Sequence, residues 1–285
     1  MSVSCTSVSS FYSVRSPPVK GRLARRFGTK GKGPARSGVV GSRGGVLAKN
    51  EPMKIICSSL YNGALAARGV AVIIDVFRAF TCAPLLFSMG VEKLFLIATP
   101  EQAFALKEKD RDLILVGEVS GIPIKGFDFG NSPSEILRKG PTFFKGKTVL
   151  QRTSSGVQGA LLALDVAEEV LLGSYALAKP TAQYLLAKKP ETVSLVAMGW
   201  ELKETAPEDE WCARYFSHLL GNGPYDHNEA LREIVFHKTT QRFLRSDKAY
   251  FPPEDPLICL QRDVYDFALR AVKQGDRVEV RRLKI

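Results

Sequence analysis

The 285-residue chain has only five cysteines, and none is spaced to chelate a metal with another. Cys5, Cys57, Cys82, Cys212 and Cys259 form no CxxC pair, which excludes finger-type zinc sites and points to buried thiols in a reducing compartment. No cysteine has an arginine six positions on, so a thiol-phosphatase cradle is excluded as well. Histidine is scarcer still. His218, His227 and His237 follow no metal spacing and read as surface or packing residues. Long apolar runs are also missing. Val70–Ile74 and Leu113–Val116 are strand-length, far short of the roughly 20 residues a spanning helix needs, and no membrane partner is expected.

Acidic residues are absent from the first 50 positions, which hold ten Lys or Arg. That segment accounts for most of the +11 net charge, because the remainder carries 30 basic against 29 acidic residues. A near-neutral body argues against nucleic acid as a partner. A Ser-, Arg- and Gly-rich leader without acids and without an apolar centre fits an organelle transit peptide, chloroplast before mitochondrion. Residues 51–285 are then the folded part, with a subdomain boundary allowed near residue 199 and a homo-oligomer left open. The 45% hydrophobic content suffices for one large or two small cores.

Within that part, strand and helix signals alternate. The β-branched run Val70–Ile74 reads as a central strand buried on both faces, and strands are expected over 54–57, 93–98, 113–116, 147–151, 169–172 and 193–198. Helices are expected over 80–89, 100–109, 132–138, from 154–156 onward, 176–187, 208–220, 228–236 and 239–245. FPPEDP reads as a break, and Val278–Leu283 as an edge strand. The alternation predicts an α/β fold with a mixed, largely parallel sheet and helices on both faces.

Four groups carry candidate chemistry. Asp75 and Arg78 lie just past the central strand, where open α/β sheets place ligands; a structural ion pair is the plainer reading. The aspartyl-nucleophile pattern DxDx[TV] is excluded by Phe77. The loop LVGEVSGIPIKGFDFGNSPSE (115–135) holds Glu118 and Asp128, the latter flanked by two rings expected to bury while its carboxylate points into the opening. It closes on Asn131 and Ser132, with Pro133 and Glu135 completing a helix-start signature. Hard oxygen donors without His or Cys suit Mg²⁺. In QRTSSGVQG (151–159), Arg152, Ser154, Ser155 and Gly156 open a helix and make a seat for an anion. It is not a Walker loop, and GPTFFKGK (140–147) has five residues between its glycines where that loop needs four. Last, Glu208 and Asp209 sit in the first turn of a helix, matching simple dipole complementarity, with metal contact by one of them as the second reading.

VIIDVFRAFT, the GFDFGNSP loop, QRTSSGVQGA, the PEDE turn and DPLICLQRD together resemble the 2-phosphosulfolactate phosphatase family over most of residues 53–283. The resemblance implies a three-layer α/β architecture and a Mg²⁺-dependent phosphatase acting on a small 2-phospho acid. It further implies that Asp75, Glu118 and Asp128 serve the metal or the nucleophile. Arg78, Arg152, Ser154, Ser155 and Gly156 would hold anionic groups, with Asn131 and Ser132 as the floor. QRTSSG stands where similar members carry a TTTNG-like run, so Ser155 replaces an Asn and Arg152 adds a charge. A non-catalytic anion-binding organellar protein is the alternative.

Overall fold

The structure is a computed structural model that describes residues 53–285. The transit-peptide expectation falls on residues 1–50, outside the described residues.

Ten strands form one sheet: β1 (Lys54–Ser59), β2 (Val70–Ile74), β3 (Lys93–Leu96), β4 (Ile114–Val119), β5 (Ile122–Pro123), β6 (Thr148–Arg152), β7 (Glu169–Gly173), β8 (Thr192–Ala197), β9 (Phe267–Gln274) and β10 (Arg277–Lys284). Their spatial order is β1-β8-β2-β7-β9-β10-β3-β6-β4-β5. Two parallel blocks, β1-β8-β2-β7 and β3-β6-β4, are joined by the antiparallel hairpin β9–β10, which pairs with β7 on one side and β3 on the other. These pairings make the two blocks run in opposite directions. β2 has all five residues buried, as an unbroken apolar run predicts.

Helices cover both faces. On the inner face lie α1 (Leu60–Leu65), α2 (Ala79–Ser88), α4 (Pro133–Lys139), α5 (Pro141–Phe144) and α6 (Gly156–Ala163); α3 (Pro100–Lys109) lies outside. α7 (Ala178–Lys188), α8 (Pro207–Leu219) and α9 (His227–Phe236) cover the outer face of the first block, and α10 (Lys238–Leu244) and α11 (Glu254–Cys259) complete the helices. Strand alternation divides the core accordingly. In β2, Ala71 and Ile73 face the inner cluster while Val70, Val72 and Ile74 face the outer one. Inner-face residues of both blocks, Ile73 and Leu172 with Leu94, Val116 and Val149, share a single cluster around α2.

The sheet must curl to do this. Four strands separate β2 from β6, roughly 24 Å in a flat sheet at about 4.8 Å per strand. Yet Asp75, just past β2, accepts a 2.7 Å hydrogen bond from the Gly156 N–H, just past β6. Twist of about 20–25° per strand, accumulated over these steps, turns the carboxyl ends of the opposed blocks toward each other. α2 fills the enclosed space, with residues 79 to 87 all buried.

Several expectations need correction. Val278–Leu283 belongs to β10, which is a middle strand and not an edge, because it pairs with β9 on one side and β3 on the other. FPPEDP does not only break the chain. It leads into α11, where Pro256 stands in the first turn and its missing N–H would have had no helical partner. Cys82, Cys212 and Cys259 are buried, whereas Cys57 is exposed on the edge strand β1. Residues 53–285 belong to one compact unit, and the chain beyond residue 199 returns to the middle of its sheet.

Leu86 is fully buried in α2. Leu86→Ala is expected to cost about 2–5 kcal/mol of unfolding free energy, read as a lower denaturant midpoint with an unchanged slope.

Candidate active site

Asp75 follows β2 directly, at the point where two helices begin. Its Oδ1 accepts from the Ala79 N–H in the first turn of α2 (3.1 Å), and its Oδ2 accepts from the Gly156 N–H at the start of α6 (2.7 Å). Only glycine fits at 156, since a Cβ there would lie 2.6 Å from Asp75 Oδ2. The Asp75 carboxyl is pushed up to about 6, chiefly by burial. The two N–H donors oppose this shift, nearby Glu118 adds to it, and Arg78 opposes it.

Arg78 does not pair with Asp75. Its Nη1 donates to Asp255 Oδ2 (2.8 Å) and to the Tyr250 carbonyl (3.0 Å), and its guanidinium stacks on Phe243 and Phe251 at 5.3 and 5.7 Å. Nε and Nη2 have no partner among the described residues, so three N–H donors remain for a ligand. Asp255 is fully buried, and its other oxygen accepts from Ser132 Oγ–H and the Ser134 N–H, locking α4 to α11.

Glu118 ties two loops together. Its Oε1 accepts from the Ser154 N–H (2.6 Å), and its Oε2 accepts from the Gly121 N–H (2.5 Å) and Ser154 Oγ–H (3.2 Å). Arg152 supports the same junction, donating through Nη1 to the Glu118 carbonyl and Ser154 Oγ. Asn131 accepts from Gln151 Nε2 through its side-chain oxygen, which directs the amide NH₂ away from Gln151. The Ser155 hydroxyl makes no hydrogen bond among the described residues, and Ser155 leads directly into α6.

A small pocket opens among these groups. Asp75, Arg78, Glu118, Asn131, Ser154 and Ser155 all line it, so three of the sequence segments converge on one space. Gly156 lies directly behind, against Asp75. The other expected residues are elsewhere. The rings flanking Asp128 are only half-buried, Phe127 against Phe104 and Phe129 against Phe143. The Asp128 carboxylate, however, turns outward to Lys107 (2.7 Å) and the Leu115 N–H (2.8 Å), because those rings fix the backbone the other way round. Ser132 caps α4 and binds Asp255, and Arg152 faces the Glu118 backbone; neither lines the pocket.

Glu208 and Asp209 are buried behind the site and are not a solvated first turn. Asp209 accepts from the Val76 and Gly199 N–H groups, pinning the chain after β2 to the chain after β8. Glu208 Oε2 is buried without a partner, and the Glu208 carboxyl is pushed up to about 8 by burial, with nearby Asp75 adding to the shift.

The reading from sequence missed Asp255, Gln151 and the aromatic side of the pocket, Trp200, Phe243 and Phe251. An acid inside a proline-dense stretch was the available signal for Asp255. The aromatics are scattered over 50 residues and carried none. Among the described residues no three Asp, Glu, His or Cys side chains converge as a metal cluster. Asp75 and Glu118 nevertheless supply two hard carboxylates in one pocket, and Mg²⁺ commonly takes only one or two from protein.

Residues 57–267 match the family model described as 2-phosphosulpholactate phosphatase. A Bacillus subtilis protein named probable 2-phosphosulfolactate phosphatase is 30% identical over 233 residues, 80% of this chain and 99% of its own length. Relatives of the same name from Deinococcus radiodurans (37% identical, 57% of this chain and 67% of its own) and Caldicellulosiruptor saccharolyticus (36%, 59% and 70%) align over shorter spans.

Because the folded Glu208 carboxyl titrates well above its ordinary value, ionising it opposes folding. Its stabilising effect is complete below about pH 4.5 and is lost as pH rises to about 8. In the metal-free protein, Glu208→Gln should match the parent near pH 4 and exceed it in stability near pH 8, by denaturant titration at both pH values. A constant difference across that range would remove Glu208 as the cause.

Proposed function

The chain belongs to the 2-phosphosulpholactate phosphatase family, and from that membership we propose that it hydrolyses the phosphate ester of a small 2-hydroxy acid, releasing inorganic phosphate. The observation that carries this reading is the pocket itself. Among the described residues Arg78 Nε and Nη2, the Asn131 amide nitrogen and the Ser155 hydroxyl make no hydrogen bond, and these residues line the same space as two carboxylates, Asp75 and Glu118.

Phosphoryl transfer depends mostly on positioning and charge neutralisation. Arg78 Nε and Nη2 suit two oxygens of a phosphoryl group, and the Asn131 amide and Ser155 hydroxyl suit the third. Asp255 and the two stacked rings hold the guanidinium still. Asp75, fixed by two N–H groups, is placed to take a proton from attacking water. Mg²⁺ would be held by Asp75 and Glu118, and would supply neutralisation of phosphoryl charge. The repulsion of Asp75 by Glu118 is relieved by any cation between them.

As metal ligand or proton acceptor, Asp75 must be ionised. Turnover should therefore rise as pH passes about 6, and added Mg²⁺ should move that limb lower by competing with the proton. Asp75→Asn is expected to lose turnover by at least roughly a hundredfold and to lose Mg²⁺-dependent thermal stabilisation. Asp128→Ala should stay active, since its exposed pair with Lys107 is worth at most about 1 kcal/mol. Full activity in Asp75→Asn, or none in a folded Asp128→Ala, would reverse these assignments.

For residues 1–50 we propose organelle import, chloroplast first and mitochondrion second, supported by ten basic and no acidic residues. Fusion of this segment to a fluorescent reporter should carry it into plastids; a cytosolic reporter would count against targeting.

A further inference from the structure

Arg242 lies against the pocket wall and takes no part in the arrangement described so far. We infer that it is a specificity-determining residue, which binds an oxyanion carried on C3 of the substrate, beyond the phosphate and the carboxylate at C2. This deepens the phosphatase reading above and rests on it.

Charge is the first ground. The lining holds three carboxylates, Asp75, Glu118 and Glu201, and one guanidinium, that of Arg78. Arg78 is committed to phosphate in the reading above. A divalent cation at Asp75 and Glu118 offsets only the phosphate, with its roughly two negative charges. A further acid group on the substrate therefore needs a cation from outside the lining. Most of the basic side chains around the pocket are engaged. Arg152 donates to the Glu118 carbonyl and Ser154 Oγ, Lys203 pairs with Glu201 at 3.4 Å, and Lys238 pairs with Glu204 at 2.9 Å. Arg242 is not engaged in this way: its guanidinium makes no hydrogen bond and no ion pair among the described residues, and its one polar contact is with a ring.

Geometry is the second ground. The Arg242 guanidinium lies over Trp200, 5.0 Å from the ring centre, and Trp200 lines the pocket. That ring is fixed by its own turn, in which the Trp200 N–H donates to the Glu204 carbonyl (2.7 Å) and the Glu204 N–H donates back to the Trp200 carbonyl (3.1 Å). From the β4–β5 turn, Gly121 comes so close that a Cβ there would lie 2.8 Å from Trp200 Cη2. A guanidinium stacked on such a ring spends its face and keeps its in-plane N–H donors, which form the fork that an oxyanion accepts. Arg242 is half-buried, so a charge-assisted hydrogen bond made there is stronger than one in open water. The helix α10 sets the placement. Arg242 and Phe243 are consecutive, about 100° apart around the helix, and Phe243 goes to Arg78 while Arg242 goes to Trp200. One turn of α10 thus supports the phosphate anchor and carries the anchor for the second acid beside it.

The test is phosphate release by the full chain with Mg²⁺ from 2-phosphosulfolactate, 2-phosphomalate and 2-phospholactate, whose C3 carries a sulfonate, a carboxylate or hydrogen. Arg242→Ala, or Arg242→Gln where the shorter side chain destabilises the fold, should lower kcat/KM for the C3 acids by roughly tenfold to a hundredfold more than for 2-phospholactate. The loss should fall mainly on KM, and Arg242→Lys, which keeps the charge without the fork, should recover part of it. A differential loss confined to one C3 acid supports the inference and names that acid as the ligand. An equal loss on all three compounds, no loss on any, or a parent chain that prefers 2-phospholactate overturns the inference and leaves the phosphatase reading standing. No release from any of the three by the parent removes the phosphatase reading and the inference with it.

Discussion

The carboxylate of Asp75 is where the two halves of the molecule meet. One oxygen receives a backbone N–H from α2, the other from α6, and these helices follow strands in blocks that run in opposite directions. A charged or half-charged group in a buried place is costly unless it is hydrogen-bonded, and two helix starts supply what it requires. The same requirement determines Gly156, because any side chain there would occupy the carboxylate's position. Curl of the sheet, burial of α2 and convergence of three loops all satisfy this one contact.

A second buried link, from Arg78 to Asp255, extends the arrangement outward. Asp255 shares its oxygens between the guanidinium and the cap of α4, so a segment 177 residues away in sequence sets the orientation of the arginine. Breaking such a pair leaves an uncompensated charge in the interior, which costs far more than the pair contributes when intact. Pocket donors are thus held by groups that never touch the pocket.

The sequence disclosed local features and hid non-local ones. Val70–Ile74 and Pro100–Lys109 were legible to the residue, the first from its unbroken β-branched run and the second from Thr99 and Pro100 at its start. Asp75, Glu118 and the Ser154–Gly156 turn were legible because strand ends and helix starts announce themselves. Asp128 was misplaced: flanking rings reveal that a backbone is anchored, and say nothing of which side its carboxylate takes. Asp255 and the aromatic wall were hidden, since partners far apart in sequence leave no periodic trace. Glu208 looked like surface dipole chemistry, although it is buried behind the pocket, near Asp75.

The position of the β9–β10 hairpin governs when the protein can exist at all during synthesis. These strands come last in the chain and sit in the middle of the sheet. Until they emerge from the ribosome, β7 and β3 each present an unpaired edge, the condition in which strands seek foreign partners. A nascent chain holding every pocket residue therefore still lacks the bridge between its halves, and assembly of the site waits on residues that contribute nothing to its chemistry.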